Sequence, residues 1–325
     1  MTRYRGHTEG RLEDAFALFR LERVGNRAAP ATLKHYDFHL PRFFSWLRAN
    51  QPEVNDVDQV SVTHLRLYRA AEAERLNRFG RPISAETLHG SHRCLRAFFR
   101  WADLEGYDID HRVLRLPKVR LPIKEADVFT ITQLRKILAV CNPKYPQQEL
   151  AIKILVGSGV RAAELAGLCA VAPDGQPDLM LDSMNRGRAE LRIRWDAGAK
   201  DQKTRRVPIT NKLATAIKRY ETRFRPRVDD RALLISAHGR GYNHWGLQSV
   251  INRLERDCGF HIHMHAFRHT FATVATQMGW NFERLRAAMG HSDYQVLQRY
   301  VRLATDRNLG PRKDWADFIL PPEEI

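Results

Sequence analysis

Long apolar runs are missing from this 325-residue chain. None approaches the ~20 residues that a membrane-spanning helix needs. The opening Met1-Thr-Arg-Tyr-Arg-Gly-His is too polar for a secretory signal. The expectation is a soluble, cytoplasmic protein without a membrane partner. Cysteine is scarce: Cys94, Cys141, Cys169 and Cys258 lie far apart and form no Cys-x-x-Cys pair. Reduced thiols fit that pattern better than disulfides or a structural zinc. No Asp or Glu falls between Asp257 and Glu283, so His261, His263 and His265 lack the carboxylate that a hard divalent ion would want. No metal and no cofactor is expected. Internal repeats and low-complexity segments are absent as well. Acidic residues are the minority, 37 against 53 Lys plus Arg, giving a net charge of +16. The excess is spread along the chain, with 21 bases and 15 acids in residues 1–120 and 32 and 22 in residues 121–325. A folded chain this basic meets a polyanion, most often nucleic acid.

What is present is ordinary globular composition, 43% apolar and 28% charged, with a length that suggests two domains. The first hundred residues carry helical spacing. Leu33, Tyr36, Leu40, Phe43, Phe44 and Leu47 share one face behind a potential cap at Thr32. Leu88, Leu95, Phe98, Phe99 and Ala102 repeat the pattern after Ser84, and shorter stripes hold Leu12, Phe16 and Phe19, and Val62, Leu65 and Tyr68. Four short helices make a small bundle, whose outer faces carry Arg66, Arg69, Arg93, Arg96 and Arg100. These arginines are either solvated or phosphate contacts. Residues 112–128, with two prolines and five bases against two acids, read as an extended basic linker.

A second domain opens at the capping box Thr130-Ile-Thr-Gln133. Leu191, Ile193 and Trp195 alternate with Arg192 and Arg194, and Val207 and Ile209 alternate again, which predicts a hairpin with a basic turn. Helical spacing returns in three segments closed by Gly259, Gly279 and Gly290. Three polar islands interrupt this domain. In the first, Ser158-Gly-Val-Arg-Ala-Ala-Glu-Leu, Arg161 follows a glycine turn and taken alone reads as a salt bridge to Glu164. In the second, His265 and Arg268 fall one helical turn apart, a proton-handling group and a permanent cation that suit a phosphate oxyanion. In the third, Gly290-His291 is followed nine residues later by Tyr300.

Taken in order, the islands resemble the tyrosine recombinases, the family of the phage integrases and Xer-type enzymes. Gly159-Val-Arg161-Ala-Ala-Glu164-Leu matches the first box, and His265, Arg268-His-Thr270, Gly290-His291 and Tyr300 match the second. Counting back from Val207-Pro208 by the family's spacing gives Lys200 in the hairpin turn, with Lys203 as competitor. Phe267, Met289 and Leu297 depart from the usual residues, and the long gap between Arg161 and Lys200 places an insertion around Asp174-Gly-Gln-Pro and Asn185-Arg-Gly.

The resemblance implies a mainly α fold with a small β-sheet. A helical, SAM-like core-binding domain (residues 1–111) would be joined by the linker (112–128) to an α+β catalytic domain (129–325). It implies a site-specific recombinase that cuts and rejoins double-stranded DNA through a 3′-phosphotyrosyl intermediate, as a homotetramer on DNA. Tyr300 would attack and Arg161 and Arg268 would neutralise the phosphate. The family gives His265 the phenolic proton, His291 a hydrogen bond to the phosphate and Lys200 protonation of the leaving 5′-oxygen. Type IB topoisomerase-like nicking and religation, or a non-catalytic DNA-binding relative, are the alternatives. The apolar tail after Tyr300, from Leu303 to Leu320, would dock either on its own domain or on a neighbouring protomer.

Overall fold

The computed structural model describes residues 10–122, 126–182, 188–196, 203–290, 294–307 and 309–319. The chain divides into two compact units, Met1–Lys124 and Glu125–Ile325.

In the first unit the four predicted helices form as α1 (Leu12–Gly25), α2 (Pro30–Asn50), α3 (Val62–Glu74) and α4 (Ala85–Leu104). The expected stripes are the buried ones: Leu12 and Phe19, then Leu40, Phe43, Phe44 and Leu47, then Leu65 and Tyr68, and finally Leu95, Phe98, Phe99 and Ala102. Each Leu or Phe among them contributes about 1.5–3 kcal/mol on leaving water. Ser84 caps α4 by accepting from the Thr87 amide at 3.2 Å. Thr32, in contrast, is not a cap. The helix starts at Pro30, whose fixed φ and missing N–H suit a first turn. Arg66, Arg93, Arg96 and Arg100 are exposed, but Arg69 donates to the Pro117 carbonyl at 2.8 Å and so ties down the following chain. That tie corrects the linker reading. Residues 111–115 form a 3-10 turn, and Val113 and Leu116 are buried in the bundle's core, so the segment's first part belongs to the bundle.

The second unit contains α5 (Ile131–Ala139), α6 (Pro146–Ser158), α7 (Ala162–Ala166), a three-stranded sheet, α8 (Asn211–Arg219), α9 (His244–Cys258), α10 (Met264–Gln277), α11 (Phe282–Met289), α12 (Tyr294–Asp306) and α13 (Arg312–Trp315). The capping box forms, with Thr130 accepting from the Gln133 amide at 3.2 Å and the Gln133 side chain accepting from the Thr130 amide at 2.9 Å. Helix α6 is buried on nearly all sides and runs through the core. The sheet is antiparallel in the order β1 (Leu179–Asp182), β2 (Arg188–Ile193), β3 (Arg205–Ile209). Leu191 pairs with Leu179 on one side and Val207 on the other. The predicted hairpin is β2–β3. Sequence alternation missed β1, which is four residues long, and it carried the strand too far, because β2 ends at Ile193 and Trp195 is exposed. Lys200 and Asn185-Arg-Gly187 lie outside the described residues. The Asp174 turn is pinned to the sheet by Arg192, at 2.6 Å from its carboxylate.

The tail packs on its own domain as far as it is described. Trp315 and Ile319 are fully buried, the Trp315 indole donates to the Leu309 carbonyl at 3.2 Å, and Thr210 donates to the Asp317 carbonyl at 3.3 Å. All four cysteines are free. Among the described residues no helix is long and apolar enough to cross a membrane.

Candidate active site

The first island is built on a turn that only glycine allows. Helix α6 ends at Gly159, with φ +63°, and a Cβ there would sit 2.3 Å from the Phe271 ring. The chain leaves that turn extended, so Arg161 takes the N-cap position of α7 and Glu164 faces back toward it. Glu164 is fully buried and accepts from the Arg161 amide at 2.7 Å and from its Nη1 at 2.9 Å. The salt bridge read from the sequence is therefore present, but it is half of a larger group. Arg205, at the start of β3, donates Nη1 and Nη2 to the two Glu164 oxygens at 2.9 and 2.8 Å. Burial pushes the Glu164 pKa up, yet Arg205 and Arg161 outweigh it and hold the carboxyl below its ordinary value.

The same arginines converge on one helix end. Arg205 Nε donates to Ala288 O at 2.8 Å, Arg268 Nη2 to Met289 O at 2.6 Å and Arg161 Nη2 to Gly290 O at 3.2 Å. These are successive carbonyls at the C-terminus of α11, where the backbone has acceptors to spare and the helix dipole favours cations. Gly290 has φ +59°, and a Cβ there would come within 3.1 Å of the Arg205 guanidinium, so the second glycine of the pattern is also a matter of space. Arg268 is 1% exposed and donates its other arm to Gly159 O at 2.6 Å, bridging the first island to the third. Burial, then the neighbouring Arg161, lowers its pKa to about 9, which leaves it charged at neutral pH. Its buried Nε has no partner among the described residues. Three guanidiniums against one carboxylate leave a net positive site, suited to an anion.

The remaining groups lie along α10 and α12. His265 is exposed; partial desolvation, then Arg268, His263 and Arg161, lowers its pKa. His269, one turn on, packs edge-on against it with ring centroids 4.3 Å apart. Tyr300 is 1% exposed, and His269 lies at hydrogen-bond distance from it, with Nδ1 2.9 Å from the phenolic oxygen. The structure thus brings Arg161, His265, Arg268 and Tyr300 into one neighbourhood, and adds Glu164, Arg205 and His269. The sequence signals for the additions were faint: Glu164 one turn from Arg161, and His269 on the same helical face as His265. Nothing in the spacing pointed to Arg205. His291 lies outside the described residues, and Lys203 is exposed.

The histidine run behaves differently from its sequence reading in one respect. The carboxylate absent locally is supplied by Asp127, whose Oδ2 is 3.0 Å from His263 Nε2, and Asp127, His261 and His263 cluster within metal-binding range. However, His263 Nδ1 accepts from the Ala266 amide at 3.2 Å as the cap of α10. The ring proton is then on Nε2, toward Asp127, and a metal there would have to displace it and break the cap. His261 is engaged by Glu255 at 2.6 Å.

Residues 127–307 match the phage integrase family. The tyrosine recombinase XerC of Alcanivorax borkumensis is 30% identical over 242 residues, covering 71% of this chain and 73% of that protein. The tyrosine recombinase XerA of Thermococcus kodakarensis is 25% identical over 282 residues, 86% of each. Among solved structures, the XerH recombinase in a post-cleavage complex with palindromic difH substrate superposes with a TM-score of 0.66 at 19% identity, over 91% of this chain and 82% of that one. A lambda integrase tetramer on a Holliday junction gives 0.67 at 13% identity, over 93% and 80%.

Proposed function

The chain belongs to the phage integrase family and is a tyrosine recombinase, and on that premise we propose that it cuts and rejoins double-stranded DNA through a covalent bond to Tyr300. The observation that carries this reading is the group of guanidiniums, locked on consecutive carbonyls beside a tyrosine. A DNA phosphodiester is an anion, and attack on it builds further charge in a pentacoordinate transition state. Arg161 and Arg268, held in place before the substrate arrives, bind the non-bridging oxygens and lower that barrier. Tyr300 displaces the 5′-oxygen and forms a 3′-phosphotyrosyl link. The bond energy is retained there, so religation to a new strand needs no nucleotide. The family resemblance gives His265 the phenolic proton and His291 a hydrogen bond to the scissile phosphate, and Lys200 is the general acid for the 5′-oxygen, with Lys203 as its competitor.

Exchange between two duplexes needs four such sites, so the working form is a homotetramer on DNA, acting in the nucleoid. The exposed stripe Arg93, Arg96 and Arg100 on α4 supplies phosphate contacts from the first unit.

Incubation with two recombination-site duplexes of different length tests the reading. Hybrid products are expected, together with a protein–DNA adduct that Tyr300→Phe abolishes while DNA binding persists. Nicking and religation without hybrids would mean topoisomerase-like chemistry, and an adduct that survives in the Phe variant would remove Tyr300 as nucleophile.

A further inference from the structure

We propose that His269, to which the family resemblance assigns no role, is the group that takes the phenolic proton of Tyr300 during attack. The inference rests on Tyr300 being the nucleophile. A general base must lie within hydrogen-bond reach of the proton it removes. His269 Nδ1 is 2.9 Å from the Tyr300 oxygen, and a neutral ring with its proton on Nε2 offers a lone pair there. The phenol needs such a partner, because its unassisted pKa is about 10 and its burial keeps bulk water from serving.

His265 is less suited to the task. It lies beside Arg268 and Arg161, so a proton gained there adds like charge to a site already positive. Its ring is exposed and lies 4.3 Å from that of His269. The His269–Tyr300 pair joins α10 to α12, and the two helices are tied again farther along, where Gln277 donates to Ala304 O at 3.0 Å and to Arg307 O at 3.1 Å. Two separate ties hold the base and the nucleophile in register.

In the step itself, the Tyr300 oxygen bonds to phosphorus as the bond to O5′ breaks. The phenolic proton passes to His269 Nδ1, and the departing O5′ takes a proton from the general acid, the role given above to Lys200. On religation the 5′-hydroxyl attacks, Lys200 recovers its proton and His269 returns one to Tyr300.

The test is single-turnover adduct formation by the full chain on a nicked duplex, with normal phosphate and with a 5′-bridging phosphorothiolate, whose sulfur leaves without a proton. His269→Ala is expected to slow the reaction by about 100-fold or more, to gain nothing from the sulfur substrate and to recover in part with added imidazole. His269→Asn keeps an acceptor but cannot carry the proton, and is expected to be slow while still folded and DNA-bound; it decides the matter if the Ala variant misfolds. A rate within about threefold of wild type in either variant, far short of a general base's contribution, would overturn the proposal. So would a faster rate, which would make the ring a restraint, or a rescue by sulfur, which would place its role at the leaving group. Absence of any adduct in the wild type would instead remove the Tyr300 reading itself, before any variant is made.

Discussion

Replacing Glu164 by Gln alters one atom and one charge at the centre of the arginine group. The carboxylate is fully buried and accepts four hydrogen bonds, from the Arg161 amide, Arg161 Nη1, Arg205 Nη1 and Arg205 Nη2, at 2.7 to 2.9 Å. Each oxygen takes two of them, so an amide nitrogen in place of either oxygen opposes donor to donor twice. The variant also leaves Arg161, Arg205 and Arg268 without a counter-charge. Removing one member of a buried pair costs about 3–5 kcal/mol, and urea unfolding of the full chain reads that loss. Arg161 and Arg205 each hold a carbonyl at the end of α11, so adduct formation at saturating DNA should fall by roughly 100-fold or more, as for loss of one preorganised transition-state contact. Affinity for non-specific DNA should hold or rise, since the site becomes more positive, and its salt dependence should not flatten. Combining Glu164→Gln with Arg205→Gln should cost less than the sum of the two by about 1–3 kcal/mol. A Gln variant as stable and as active as wild type would refute the account, and so would one whose only defect is weaker DNA binding.

Two further expectations concern stability. Burial lowers the pKa of His39 and of His92 to about 4 in the first unit. Their unfolded value is about 6.5, so the unfolded chain binds protons that the native state refuses. The stability they sustain is present above about pH 6.5 and drains away toward pH 4, at roughly 1 kcal/mol per pH unit for each ring; urea midpoints across that range should show a shallower acid decline in a His39→Leu, His92→Leu double variant, and identical slopes would refute the assignment. Trp315 is fully buried in its own domain, so Trp315→Ala should cost about 3–5 kcal/mol in the isolated protein. No loss of stability would show that the tail does not rest on its own domain in solution.

Much of the architecture was legible because it depends on periodicity. Leu95, Phe98, Phe99 and Ala102 recur at the helical repeat and are buried, and Leu191 with Val207 alternates as paired strands do. Caps at Ser84 and Thr130 rest on hydrogen bonds to an amide three residues on, so neighbouring sequence suffices to find them. Where the reading slipped, the cause lay outside the hydrophobic spacing. Proline moved the start of α2 ahead of Thr32, Arg69 drew the proposed linker onto the bundle, and β1 is too short to show alternation but gains its place by pairing with β2.

The chain alone determined which residue types stand in which order, and so the family and the chemistry it can perform: glycine, arginine and glutamate in one box, histidine and arginine one turn apart in another, and a tyrosine beyond. Only the tertiary structure decided that three arginines from separate segments share the end of α11, that Asp127 meets His263 across 136 residues, and that His269 rather than His265 lies against the phenol. The physical reason is reach. Periodicity and capping act within a few residues, whereas ion pairs and hydrogen bonds between segments depend on how the core stacks α6, α10, α11 and β3, and that stacking leaves no mark in local spacing.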